Sequence, residues 1–150
     1  MTRSQRIGRV REGLERGERD SAARALAAEQ RVVEARQRLQ ELQRYRAEYR
    51  ASLDGRTAAG IGTVALRDFQ AFLGRLDEAI RQQGQIVGRA ETERDFERSR
   101  WLDAAKQVKA VATVAERWQL EERCETQRHE QREIDERARD RHRESQEPLP

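Results

Sequence analysis

The chain has 150 residues, of which 39% are charged and only 5% aromatic, a composition that excludes an ordinary globular core. Its 31 basic and 28 acidic side chains leave a formal net charge of only +3, with the signs interspersed along most of the sequence. Such a chain reads as helices with solvated surfaces that bury no more than a narrow seam.

Nothing except glycine interrupts helix before about residue 145, because the only prolines are Pro148 and Pro150. Helix one is expected over about residues 4–53. Ile7, Val10, Leu14, Ala25, Ala28, Val32, Ala35, Leu39, Leu42, Tyr49 and Leu53 keep close to a three-four rhythm, the spacing of a stripe buried against another helix. Gly17, Ser21 and Arg46 fall in that seam as weak points. Gly8, Gly13 and Gly17 each cost a helix interior about 1 kcal/mol relative to Ala. Arg3, Arg6, Arg9 and Arg11 put positive charge at the positive end of the helix dipole. This start should fray unless something holds it.

Residues 54–62 read as a reversal. Asp54, Gly55, Gly60 and Gly62 lie between the two patterns, with glycine available as a left-handed helix stop and Thr63 as a cap for the next helix. Helix two is expected over about 63–145, its seam running through Leu66, Phe69, Leu73, Leu76, Ile80, Val87, Ala90, Trp101, Ala104, Val108, Val111, Ala115 and Trp118. Gln83, Arg94 and Glu97 occupy seam slots too, which predicts loose or wet packing there. Gly74, Gly84 and Gly88 permit close approach of a neighbour, mark a bend, or are tolerated flexibility.

The expected fold is therefore all-α: one long antiparallel two-helix coiled-coil hairpin with unequal arms, spanning 1–150. Folding about residue 58 would put Ile7 near Lys109 and Leu14 near Leu102, leaving everything after about residue 115 unpaired. That overhang carries Trp118, Leu120, Cys124 and Ile134 among clustered charges, and a sparsely apolar helix of this kind is mobile or partner-bound. A monomer is expected in isolation, although the seam of helix two could instead pair with another chain.

The sequence contains no nucleotide-binding glycine loop, paired cysteines, HExxH helix or nucleophile elbow, so neither enzymatic activity nor a cofactor or metal is expected. Cys124 is the single cysteine and fits a reducing compartment. With no apolar run long enough for a signal peptide or a membrane span, the expected location is cytoplasmic. Glu125 and His129 share a helix face without the further ligands a metal needs. Arg137, Arg139, Arg141 and Arg143 form a basic run that suits nucleic acid, but they equally complement the negative end of a helix dipole. Specific nucleic-acid binding is not expected. More informative are Tyr45, Phe72 and Ala79, which are apolar but lie off the seam. With Leu42, Tyr49 and Leu76 they widen the stripe near the turn, either as a docking patch or as a broader core where the helices splay.

Leu42, Tyr45, Glu48 and Tyr49, then the Gly-containing turn, then Phe69, Phe72, Leu76, Ala79 and Ile80, followed by Trp101 and the segment AVATVAERWQLEERCETQRHEQREIDERARDR, resemble the flagellar type III export protein FliJ family. The resemblance covers about residues 20–143. It implies a small antiparallel coiled coil like the central stalk of a rotary ATPase, non-enzymatic, serving flagellum biogenesis, motility and chemotaxis. Its open end would promote assembly of the export ATPase FliI hexamer, with Trp118, Leu120 and Ile134 as contacts to that ring or to export chaperones, which the family binds and recycles. Its tip would meet the export-gate protein FlhA through Leu42, Tyr45, Tyr49, Phe72, Leu76 and Ala79, holding the protein peripherally at the cytoplasmic face of the inner membrane. Arg38 and Gln83 depart from the family pattern at the edges of that surface. The equivalent stalk of a virulence-type III secretion system shares the architecture and is the nearest alternative; a nucleic-acid-associated coiled coil is more distant.

Overall fold

The computed structural model describes residues 1–148; the last two positions of the hairpin expected over 1–150 lie outside them. Two helices follow one another, α1 (Arg3–Ala59) and α2 (Thr63–Gln146), and they pack antiparallel as a coiled-coil hairpin. The chain divides into two compact units, one formed by Glu18–Ala104 and the other by Met1–Gly17 with the chain from Ala105 on.

The first unit contains the turn. It is shorter than the expected 54–62, because α1 runs through Gly55 to Ala59. Arg56, Thr57, Ala58 and Ala59 continue the helix, and Thr57 Oγ1 donates back to the Leu53 carbonyl at 2.9 Å. The stop comes at Gly60, whose φ of +93° is the left-handed conformation that glycine alone adopts without strain. The Gly62 carbonyl accepts the Leu66 amide at 3.0 Å, so Gly62 rather than Thr63 takes the position before the first turn of α2.

Beside the turn lies the cluster of large apolar side chains. Leu53, Leu73 and Leu76 are buried, with Tyr49, Ile61, Leu66, Phe69 and Phe72 packed against them. Further along α1 the seam narrows to small residues: Ser21, Ala28, Val32 and Ala35 are buried, Val32 completely. Small side chains leave less apolar area to bury, and polar bridges take over. Gln83 Nε2 donates to the Ala35 carbonyl at 3.0 Å, and Trp101 Nε1 donates to Glu18 Oε1 at 2.7 Å. Arg94 and Arg98 reach Glu29 at 3.7 and 3.4 Å, Arg36 reaches Glu91 at 3.0 Å, and Arg31 pairs with Glu93. The seam positions Gln83, Arg94 and Glu97 are half-buried; Gln83 and Arg94 are bridged across the helices, and Glu97 Oε2 lies 3.8 Å from Arg24 without a hydrogen bond.

The glycines inside α2 make no close approach within the chain. A Cβ placed on Gly74, Gly84 or Gly88 would meet nothing within 4 Å. Gly88→Ala should therefore stabilise the hairpin by about 1 kcal/mol, through helix propensity and a less disordered unfolded chain. The measurement is the urea midpoint followed by circular dichroism; an unchanged or lower midpoint would mean that the site is occupied in solution.

In the second unit the start of α1 lies on α2. Thr2 and Gln5 form a reciprocal cap, the Thr2 amide donating to Gln5 Oε1 at 2.9 Å and the Gln5 amide to Thr2 Oγ1 at 3.2 Å. Arg3 stacks on the Trp118 ring at 4.3 Å and pairs with Glu121 at 2.6 Å. Pairing thus extends to Glu122, not merely to about residue 115, because the shorter turn moves the centre of the reversal from 58 to about 61. A centre at 58 would have put Arg3 beside about Thr113, and on the same count Ile7 near Lys109, whereas Arg3 meets Trp118 and Glu121. From Arg123 to Gln146 every residue is exposed.

Candidate functional site

The residues nearest the turn form a continuous aromatic surface. Tyr45 and Tyr49 are one turn apart on α1, and Phe69 and Phe72 sit on the facing turns of α2. Tyr49 is the hub, its ring centroid 4.9 Å from that of Phe69 and 4.6 Å from that of Phe72. Tyr45 meets Phe72 edge to face at 6.1 Å and Tyr49 at 6.4 Å, within the range of favourable ring pairs. Tyr49 and Phe72 also lean on the buried leucines. Tyr45 does not, and 48% of it remains exposed.

Two guanidinium groups cap this surface, Arg75 at 5.7 Å from the Phe72 ring and Arg56 at 5.2 Å from Phe69. Neither was singled out by sequence reasoning; Arg75 follows Phe72 by three positions, a spacing that signals a shared helix face, whereas nothing in the sequence ties Arg56 to Phe69. Arg46, which breaks the seam rhythm, turns outward to pair with Asp77, and that carboxylate pushes the Arg46 pKa up by hydrogen bonding and charge. On the neighbouring turn, hydrogen bonds from Arg81 hold Glu78 well below the usual carboxylate range, at about 2.

The six residues expected at the tip divide by exposure. Tyr45 is exposed, while Leu42, Tyr49, Phe72 and Ala79 are half-buried. Leu76 is 7% exposed and belongs to the core cluster, so it supports the surface from below. At the edges, Gln83 is committed to the Ala35 carbonyl, whereas Arg38 is exposed and only 4.0 Å from Glu41.

The chain matches the family model described as "Flagellar FliJ protein" over residues 12–147. It belongs to the FliJ family. No curated protein and no solved structure was found to match it significantly. Membership in the FliJ family makes the chain a component of the flagellar export apparatus, in a family known as non-enzymatic export components. Among the described residues no helix is long and apolar enough to cross a membrane.

The second set of expected contacts lies on α2 beyond residue 115. Leu120 and Ile134 are 60% and 57% exposed, but Trp118 is half-buried beneath Arg3. Cys124, Glu125 and His129 are exposed, and His129 Nδ1 lies 3.4 Å from Glu133 Oε1. Among the described residues no group of three or more His, Cys, Asp or Glu side chains could hold a metal. Arg137, Arg139, Arg141 and Arg143 are exposed, with Arg137 3.9 Å from Glu133.

Proposed function

We propose that this FliJ-family chain is a non-enzymatic stalk and adaptor, working in the cytoplasm at the inner-membrane face of the export apparatus. In this reading its aromatic surface beside the turn docks the export gate FlhA. The exposed length of α2, with Leu120 and Ile134, engages the FliI hexamer and promotes its assembly, and the chain escorts export chaperones as a monomer. The observation that carries the reading is Tyr45, an aromatic side chain half exposed beside Phe72 although the buried leucine cluster is complete without it. Exposed aromatic rings flanked by arginines are the chemistry of interface anchors.

The test is a Tyr45→Ala, Phe72→Ala double variant. Its helical circular dichroism should persist, while binding to the gate protein and swimming motility are lost. Full motility would remove the docking role from the tip. The stalk role has its own measurement: added in excess, the chain should raise ATP hydrolysis by the export ATPase while hydrolysing nothing alone. Absence of stimulation at concentrations where the two associate would remove that role and leave the tip untouched.

A further inference from the structure

The start of α1 is built of residues that weaken a helix, and it is held by contacts from α2. Gly8, Gly13 and Gly17 each leave open space where a side chain would be, so their destabilising effect is not offset by any close contact within the chain. The first turn of α1 has no acidic residue to answer the dipole. Glu121 and Glu122 supply that charge from α2. The Ser4 amide donates to Glu122 Oε1 at 3.1 Å and its hydroxyl donates to Glu122 Oε2, with Ser4 only 9% exposed. Arg3 joins Glu121 and covers the Trp118 ring. One turn inward on α2, Ala115 is 2% exposed, so opening this contact would uncover Ala115 and Trp118 together.

The geometry points to a releasable strap: Met1–Gly17 masks the Ala115 and Trp118 face of α2, clipped at one end by Arg3 and Ser4 on Glu121 and Glu122 and loosened along its length by glycine. Its polar contacts with α2 are concentrated in a single turn, and beyond that turn the apolar Ile7 and Leu14 are only half-buried. A segment so held opens locally, without unfolding of the leucine cluster. Hydrogen bonding from Ser4 lowers the Glu122 pKa, so the folded state gains from the charged carboxylate above the ordinary carboxylate range. That gain is lost as pH falls through the lowered value. Glu121 and Arg3 face the same turn.

The full chain tests this in a Trp101→Phe background, where Trp118 is the sole tryptophan. Amides of Arg3–Gly17 should exchange at least about tenfold faster than those of Ala28–Ala35. Glu121→Gln with Glu122→Gln should speed exchange further and raise quenching of Trp118 by acrylamide, leaving Ala28–Ala35 unchanged. Gly8→Ala, Gly13→Ala and Gly17→Ala together should slow the same amides by about a hundredfold, the strap now favouring its closed helical form. Equal protection of the two segments, or exchange and quenching that neither set of variants moves, would overturn the strap.

Discussion

Leu73→Ala is expected to destabilise the hairpin by about 2–3 kcal/mol, read as a fall in the urea midpoint followed by circular dichroism. Leu73 is 8% exposed and shares its cluster with Leu53 and Leu76, and this is where the two helices bring large apolar side chains together. Elsewhere in the Glu18–Ala104 unit the buried seam positions are Ser21, Ala28, Val32 and Ala35, while Leu39, Leu42, Ile80 and Trp101 are only half-buried, so no second buried cluster of leucines compensates. A midpoint within about 0.5 kcal/mol of the parent, the range of ordinary surface substitutions, would mean that this cluster is not the stabilising centre of the hairpin.

The same experiment separates packing from docking. Tyr45→Ala removes a half-exposed ring with two aromatic neighbours and should cost only about 1 kcal/mol. Leu76 lies under the surface, so Leu76→Ala weakens docking by loosening the helices that present Tyr45 and Phe72. If Leu73→Ala and Leu76→Ala reduce gate binding only in proportion to unfolding, while Tyr45→Ala reduces it with the fold intact, the exposed rings are the contact.

The hairpin was legible because Leu66, Phe69, Leu73 and Leu76 keep an unbroken three-four rhythm and the off-seam Tyr45 and Phe72 flank the glycines. The structure brings those two rings to 6.1 Å. The sequence predicts the turn too early because Gly55 resembles a stop, yet its successors are adequate helix formers and only Gly60 takes the left-handed conformation. A short error in the turn shifts every facing pair in an antiparallel hairpin, so the proposed partners of Ile7 and the start of the overhang shifted with it. The ion pairs were not legible at all: Arg31 has Glu34 three positions on in its own helix, and sequence alone does not rank that against Glu93, nor does it bring Glu91 across the seam to Arg36. The hold on Ser4 was hidden for a different reason, since Glu122 lies 118 positions away.

Val32→Asp should cost about 3 kcal/mol or more at neutral pH, because Val32 is 0% exposed and a carboxylate there loses its water. Ala28 and Ala35, one turn to either side, are themselves buried, so the new group cannot reach solvent along α1. Burial raises the pKa of such a carboxyl, which fixes the sign of the pH response. The penalty is full above the raised value and shrinks as pH falls through it, since the neutral acid is cheaper to bury. The parent has its own pH response through Glu78 and Glu122, whose pKa values are lowered, so the quantity to follow is the difference between variant and parent at each pH. That difference should narrow on acidification, and Val32→Ala, which leaves only a small cavity, should show no such pH dependence. A Val32→Asp chain with the parent's stability at neutral pH would mean that this turn of α1 is not buried against α2 in solution, and the seam between Ser21 and Ala35 would have to be drawn elsewhere.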